Sequence, residues 1–193
     1  MDKHFNMIFF GGVLMFLDLN FPFDLLPDFL GFYLIYKALT NLADSDVLSK
    51  DIKLIFKKGI NPCIVLAFIE FFKWISVIFT PEILGEDRLA IQGLYFIGSL
   101  LGIVYIYIIY IILKGIYEIS KVNGFEIENK AKNTWYVFLT IQVIVLFSYS
   151  FNLNFEMEGY MYCLAIVSLF INIYVFIFIK SIGKKFEVNK SLF

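Results

Sequence analysis

The chain has 193 residues, of which 60% are hydrophobic, 20% aromatic and only 17% charged, with a formal net charge of −1. A soluble domain is about 45–50% apolar and about 25% charged, and a fold of this length has too little interior to hide so much apolar surface from water. The composition excludes an ordinary soluble domain, and the lack of any long basic block excludes a nucleic-acid interface.

Twelve glycines and four prolines are too few for a disordered or fibrous chain. Arg88 is the single arginine among sixteen basic residues, a bias that suits an AT-rich bacterial genome. The expected location is the bacterial cytoplasmic membrane.

A helix rising about 1.5 Å per residue needs about 20 apolar residues to cross the hydrocarbon core. Six runs qualify as spans, at roughly 5–20, 28–43, 60–80, 89–113, 134–151 and 160–181. The first begins directly after Met1, Asp2, Lys3 and His4. No small-x-small cleavage site follows it, and Asp18, Leu19 and Asn20 do, so it reads as a retained helix rather than a secretory leader. The first two runs are short and polar-flanked. They are either two tilted spans or a re-entrant hairpin, and both return the chain to its starting side.

The segments between the runs fall into two alternating classes. One class is the N-terminus, 44–59, 114–133 and the C-terminal segment. It holds Lys3, Lys50, Lys53, Lys57, Lys58, Lys114, Lys121, Lys130, Lys132, Lys180, Lys184, Lys185 and Lys190. The other class, 21–27, 81–88 and 152–159, holds only Arg88. It is acidic, with Asp24, Asp28, Glu82, Glu86, Asp87, Glu156 and Glu158 in it or beside it. Excess Lys and Arg mark cytoplasmic loops. The expected fold is therefore all-α: one polytopic transmembrane helical bundle over 1–193, with about six spans and both termini cytoplasmic.

Trp135 and Tyr136 at one edge, and Tyr160 and Tyr162 at the other, suit interfacial aromatic belts. Segment 46–58 gathers Leu48, Ile52, Ile55 and Phe56 on one face, which reads as a basic amphipathic helix lying on the inner leaflet, or else as a solvated connector. Asn123-Gly124 marks a turn. Cys63 and Cys163 fall near opposite membrane faces, too far apart for a disulfide.

Charges inside spans are costly and point to function by default. Glu70 and Lys73 lie in the third run at i and i+3, where they share a face and can pair. Lys37 and Asp18 are expected in the same outer half, so Asp18, Lys37, Glu70 and Lys73 form a candidate intramembrane polar cluster. Two readings stand: a substrate or ion site or proton relay, or an internal ion-pair network with Lys37 snorkelling to the interface. Gln142 and Asn172, near mid-depth, are expected to hydrogen-bond neighbouring helices, or to meet a ligand. Gly98 and Gly102, in the string GSLLG, match a small-xxx-small pattern for close helix packing, within the chain or between two copies of it.

The string DLLPDFLG over 24–31 is the most distinctive stretch. Asp24 suits a helix N-cap with Pro27 in the first turn, and Asp24 and Asp28, one turn apart, offer two carboxylates to a cation. Calcium wants six or more oxygens, so the pair alone makes a poor metal site. Together with the preceding apolar helix, this string resembles the first hairpin of small uncharacterised multipass proteins of low-GC Gram-positive bacteria. A similar D-L-x-P-D-F string occurs in a separate small bacterial domain of unknown function, but there a second proline and an acidic pair follow, and this chain lacks them. The resemblance covers about 30 residues and implies no activity.

His4 is the only histidine. No HExxH, GxSxG, P-loop or paired CxxC string is present. The expectation is a protein that is not an enzyme, with no catalytic residues, cofactor or metal. Its partners would be the lipid bilayer and a membrane or cytoplasmic protein, with no nucleic acid and a ligand the sequence does not name. In size and topology alone it is similar to the substrate-binding components of energy-coupling-factor vitamin transporters. That likeness points to small-solute transport or solute binding. The alternative is a non-catalytic accessory, immunity or sensory protein acting through protein or lipid contacts.

Overall fold

The computed structural model describes residues 1–16, 20–21, 23–24, 28–79, 88–124, 127–155 and 158–190. It is helical, with six helices: α1 (Asp2–Phe16), α2 (Asp28–Asp44), α3 (Lys50–Phe79), α4 (Arg88–Val122), α5 (Glu128–Phe155) and α6 (Glu158–Lys190). A small antiparallel hairpin joins the first two, with β1 (Asn20–Phe21) paired to β2 (Phe23–Asp24) and Asn20 opposite Asp24. Asp24 is thus a strand residue, and the N-cap expected of it is corrected: α2 starts only at Asp28. Among the described residues, two stretches, Ile97–Val122 and Tyr162–Phe186, are long and apolar enough to cross a membrane.

Each helix packs on its neighbours in sequence, and α6 closes the ring onto α1. The chain ends meet at one end of the bundle. There Phe5 lies 5.8 Å from Phe186, ring to ring, and Asp2 borders Gly183. The start of α3 and the end of α4 share that end, where Phe56 sits against Gly115, as does the start of α5, where the Lys130 ammonium stands 5.7 Å from the Phe178 ring. The lysine-bearing segments therefore gather at a single end, termed here the basic end.

Helices α3 to α6 outrun their apolar stretches, mostly toward the basic end. An apolar run marks where lipid would be crossed, not where backbone hydrogen bonding must stop, and Lys, Glu, Ile and Tyr all continue a helix at little cost. Termination needs a specific residue. In α4 it is Gly124, at φ 67°, a left-handed position that glycine tolerates, with the Asn123 side-chain amide donating to the Ile119 carbonyl at 2.7 Å.

Segment 50–58 does not lie apart as a surface helix. It is the first part of α3, and Leu48, Ile52 and Phe56 are buried in the core. The expected amphipathic face is real, but it covers α4 rather than lipid; Lys50, Lys57 and Lys58 point outward.

The core is concentrated toward the basic end. There α4 is buried on nearly every side through Ile108, Ile109, Ile111, Ile112, Leu113, Ile116 and Ile119. Toward the other end the helices turn apolar side chains outward, among them Phe72 (58% exposed), Phe147 (68%) and Phe170 (67%). Water-soluble monomers seldom expose contiguous apolar patches beyond a few hundred Å².

Close approach of α1 and α2 is set by Gly11 and Gly31. A Cβ on either would meet the carbonyl oxygen of the other, at 2.6 Å and 2.5 Å. Gly98 has open space around it among the described residues, and Gly102 makes only an ordinary contact with Leu146. Among the described residues, the close helix approach falls at Gly11 and Gly31 rather than at Gly98 and Gly102. Cys63 is buried in α3 and Cys163 exposed on α6, both as free thiols.

Candidate functional site

The α1–α2 hairpin is short. Gly12 faces Phe176, and α1 ends at Phe16, about 6 Å farther on, whereas α6 continues past Phe176 to Glu158, about 27 Å. Beside the C-terminal end of α1 and the start of α2, α3 and α4 line a cavity of about 310 Å³. Its walls are Met15 of α1, Asp28 and Phe32 of α2, Leu66, Glu70 and Lys73 of α3, and Gly98, Leu101, Gly102 and Tyr105 of α4.

Glu70 and Lys73 are joined by an ion pair of 3.0 Å. The two partners differ in surroundings: the Glu70 side chain is 14% exposed and that of Lys73 63%. The carboxylate is held inside the wall while the ammonium reaches outward on its flexible stem. Asp28, at the first turn of α2, puts a second carboxylate on the same cavity.

Of the four residues expected to cluster, the structure brings Glu70 and Lys73 together. Asp18 lies outside the described residues. Lys37 is exposed and does not line the cavity. The reason is register. Phe29 stacks edge-on against Phe71, 5.2 Å away, and Tyr36 shares a groove with Ile64. Lys37 therefore stands near the level of Ile64, about 9 Å along the helix axis from Glu70.

Tyr105 connects this cavity to a buried polar ladder. Its hydroxyl donates to Asn172 Oδ1 at 2.6 Å. The Asn172 amide donates to the Ser168 carbonyl at 2.8 Å, and Gln142 Nε2 donates to Ser168 Oγ at 3.1 Å. Gln142 and Asn172 are both buried, so the two amides bond across helices as expected, tying α4, α5 and α6. Tyr105 was not singled out in the sequence, yet a pattern there points to it. Gly98, Leu101, Gly102 and Tyr105 recur at three- and four-residue steps and so share one face of α4.

Gly98 and Gly102 contribute to the cavity by leaving space that side chains would fill. Among the described residues, no three His, Cys, Asp or Glu side chains converge as metal ligands. The cavity walls carry two carboxylates, one ammonium and a phenol among apolar side chains. Comparison with protein-family models, with curated proteins and with solved structures finds no match.

Proposed function

We propose that the chain is a six-span protein of the bacterial cytoplasmic membrane, with both termini cytoplasmic, that binds a small polar solute as a transporter or as the solute-binding subunit of one. The observation that carries the reading is the cavity containing the shielded Glu70 carboxylate. Its volume, about 310 Å³, sits at the small end of ligand pockets, which run from about 300 to 1,000 Å³. The Glu70 and Asp28 carboxylates on its walls favour a solute bearing an amine, cationic or zwitterionic. The membrane placement is supported by the outward-facing apolar side chains, the two helices of sufficient length and the gathering of lysines at one end.

The test is binding of a panel of small amines and amino acids to purified protein, read by thermal stabilisation and native mass spectrometry. Glu70→Gln should abolish the stabilisation while leaving the unliganded protein folded. If the parent protein is stabilised by no amine, or if Glu70→Gln binds as the parent does, the reading fails.

A second reading is favoured by the closure of Glu70 on Lys73. A self-paired carboxylate needs no ligand, and the protein is then a non-catalytic accessory or sensory factor that works through membrane or protein contacts. Replacing both residues by leucine separates the two: a structural pair often tolerates such a swap, whereas a binding site does not.

A further inference from the structure

A second cavity lies at the basic end, between α4 and α5, with a volume of about 230 Å³. Two lysines stand at it, Lys114 from α4 and Lys132 from α5, together with Glu118, Tyr117, Tyr110 and Trp135. Among the described residues neither lysine is in an ion pair with a carboxylate. Both lysines are exposed, while Tyr110 and Trp135 are half-buried and touch ring to ring, with centroids 5.0 Å apart. The Lys114 ammonium stands 5.5 Å from the Tyr110 ring and that of Lys132 6.0 Å from the Tyr136 ring.

This layering matches a membrane interface. Aromatic rings with a polar edge sit at headgroup level, and basic pockets between transmembrane helices on the cytoplasmic side hold anionic headgroups. Two ammonium groups with one carboxylate leave the cavity with one net positive charge, the complement of a single phosphodiester. The remaining carboxylate, Glu118, is placed to accept hydrogen bonds from headgroup hydroxyls.

We infer that the cavity formed by Lys114, Lys132, Glu118 and Trp135 is a specific site for an anionic, hydroxylated glycerophospholipid of the inner leaflet, such as phosphatidylglycerol. The lysines hold the phosphodiester, Glu118 takes the glycerol hydroxyls, and the Tyr110–Trp135 pair meets the glycerol backbone. The site rests on the membrane placement proposed above but not on the solute cavity.

Trp135 provides the readout. With Trp74→Phe, which keeps an aromatic ring beside Phe29, Trp135 is the remaining tryptophan. The full chain is reconstituted in phosphatidylcholine vesicles, and its fluorescence is quenched by brominated phosphatidylglycerol or brominated phosphatidylcholine. The expected result is tighter binding of phosphatidylglycerol, with the preference falling about fivefold per lysine in Lys114→Gln and Lys132→Gln and nearing unity in the double variant. Lys57→Gln/Lys58→Gln, on exposed lysines of the same end, should leave it unchanged.

Equal quenching by the two lipids, or a preference that survives the double variant, overturns the site. A loss as large in Lys57→Gln/Lys58→Gln reduces it to diffuse surface attraction and also overturns it. Relief of quenching by free glycerol phosphate assigns the cavity to a soluble phosphate ester instead of a lipid. Quenching by neither brominated lipid shows that the protein is not in the bilayer, which defeats the membrane placement itself.

Discussion

Single polar residues in this molecule matter by whether they find partners. The Tyr105 hydroxyl, 2.6 Å from Asn172 Oδ1, is the link from α4 to α6. Interhelical hydrogen bonds in membrane proteins contribute on average about 0.6 kcal/mol and at most about 1.7 kcal/mol. Tyr105→Phe keeps the ring, which packs against Phe32 and Phe138, and should destabilise by about 1 kcal/mol, measured by reversible unfolding in mixed micelles. His4 gives a second residue-scale expectation. Burial, reinforced by the Met1 ammonium and Lys3, holds its imidazole below the usual value of 6.5. Its neutral form is therefore favoured in the folded protein. Well above pH 6.5 the group has no effect; as the pH falls through that value the unfolded chain takes the proton first and stability declines, levelling below the folded pKa. His4→Gln should remove this part of the pH dependence, which thermal unfolding at a series of pH values will show.

At the scale of elements, the α1–α2 hairpin depends on one crossing. Gly11 and Gly31 each press a bare Cα against the other's carbonyl, so a side chain there must push whole helices apart, not displace a flexible neighbour. Gly11→Leu or Gly31→Leu should cost at least about 1–3 kcal/mol and broaden the peak in size-exclusion chromatography, while Gly98→Ala, with nothing within 4 Å of its added carbon among the described residues, should leave it unchanged. The contrast shows what the sequence discloses. Gly98 and Gly102 carry a recognisable four-residue spacing but border a cavity. Gly11 and Gly31 lie on different helices, so no spacing along the chain connects them. Lys37 was misplaced for a related reason: its depth follows from how far α2 slides against α3, which the Phe29–Phe71 stacking sets and residue counting does not. Glu70 and Lys73 were legible because both sit on one helix, where three residues fix their relation whatever the neighbours do. Gln142 and Asn172 were legible as bonded amides because an apolar surrounding leaves them only other helices to bond to.

For the whole molecule, the alternation of lysine-rich and lysine-poor segments and the gathering of Phe5, Phe186, Phe56 and Gly115 at one end are two views of the same constraint. Six antiparallel helices return every second connection, and both termini, to one side. If that side is the cytoplasm, the exposed positions Gly159 and Asn129 lie on opposite faces of the membrane. In a Cys63→Ala/Cys163→Ala background, Gly159→Cys should react with a membrane-impermeant maleimide added to intact cells, and Asn129→Cys should react only after permeabilisation. The reverse pattern inverts the protein; labelling of both in intact cells removes the crossing between them. The outcome also bears on the two cavities. The Glu70 cavity lies where α1 and α2 stop, away from the basic end, and the Lys114–Lys132 cavity lies at it. With Asn129 cytoplasmic, a solute would reach Glu70 from outside while lipid charge held α4 and α5 from within.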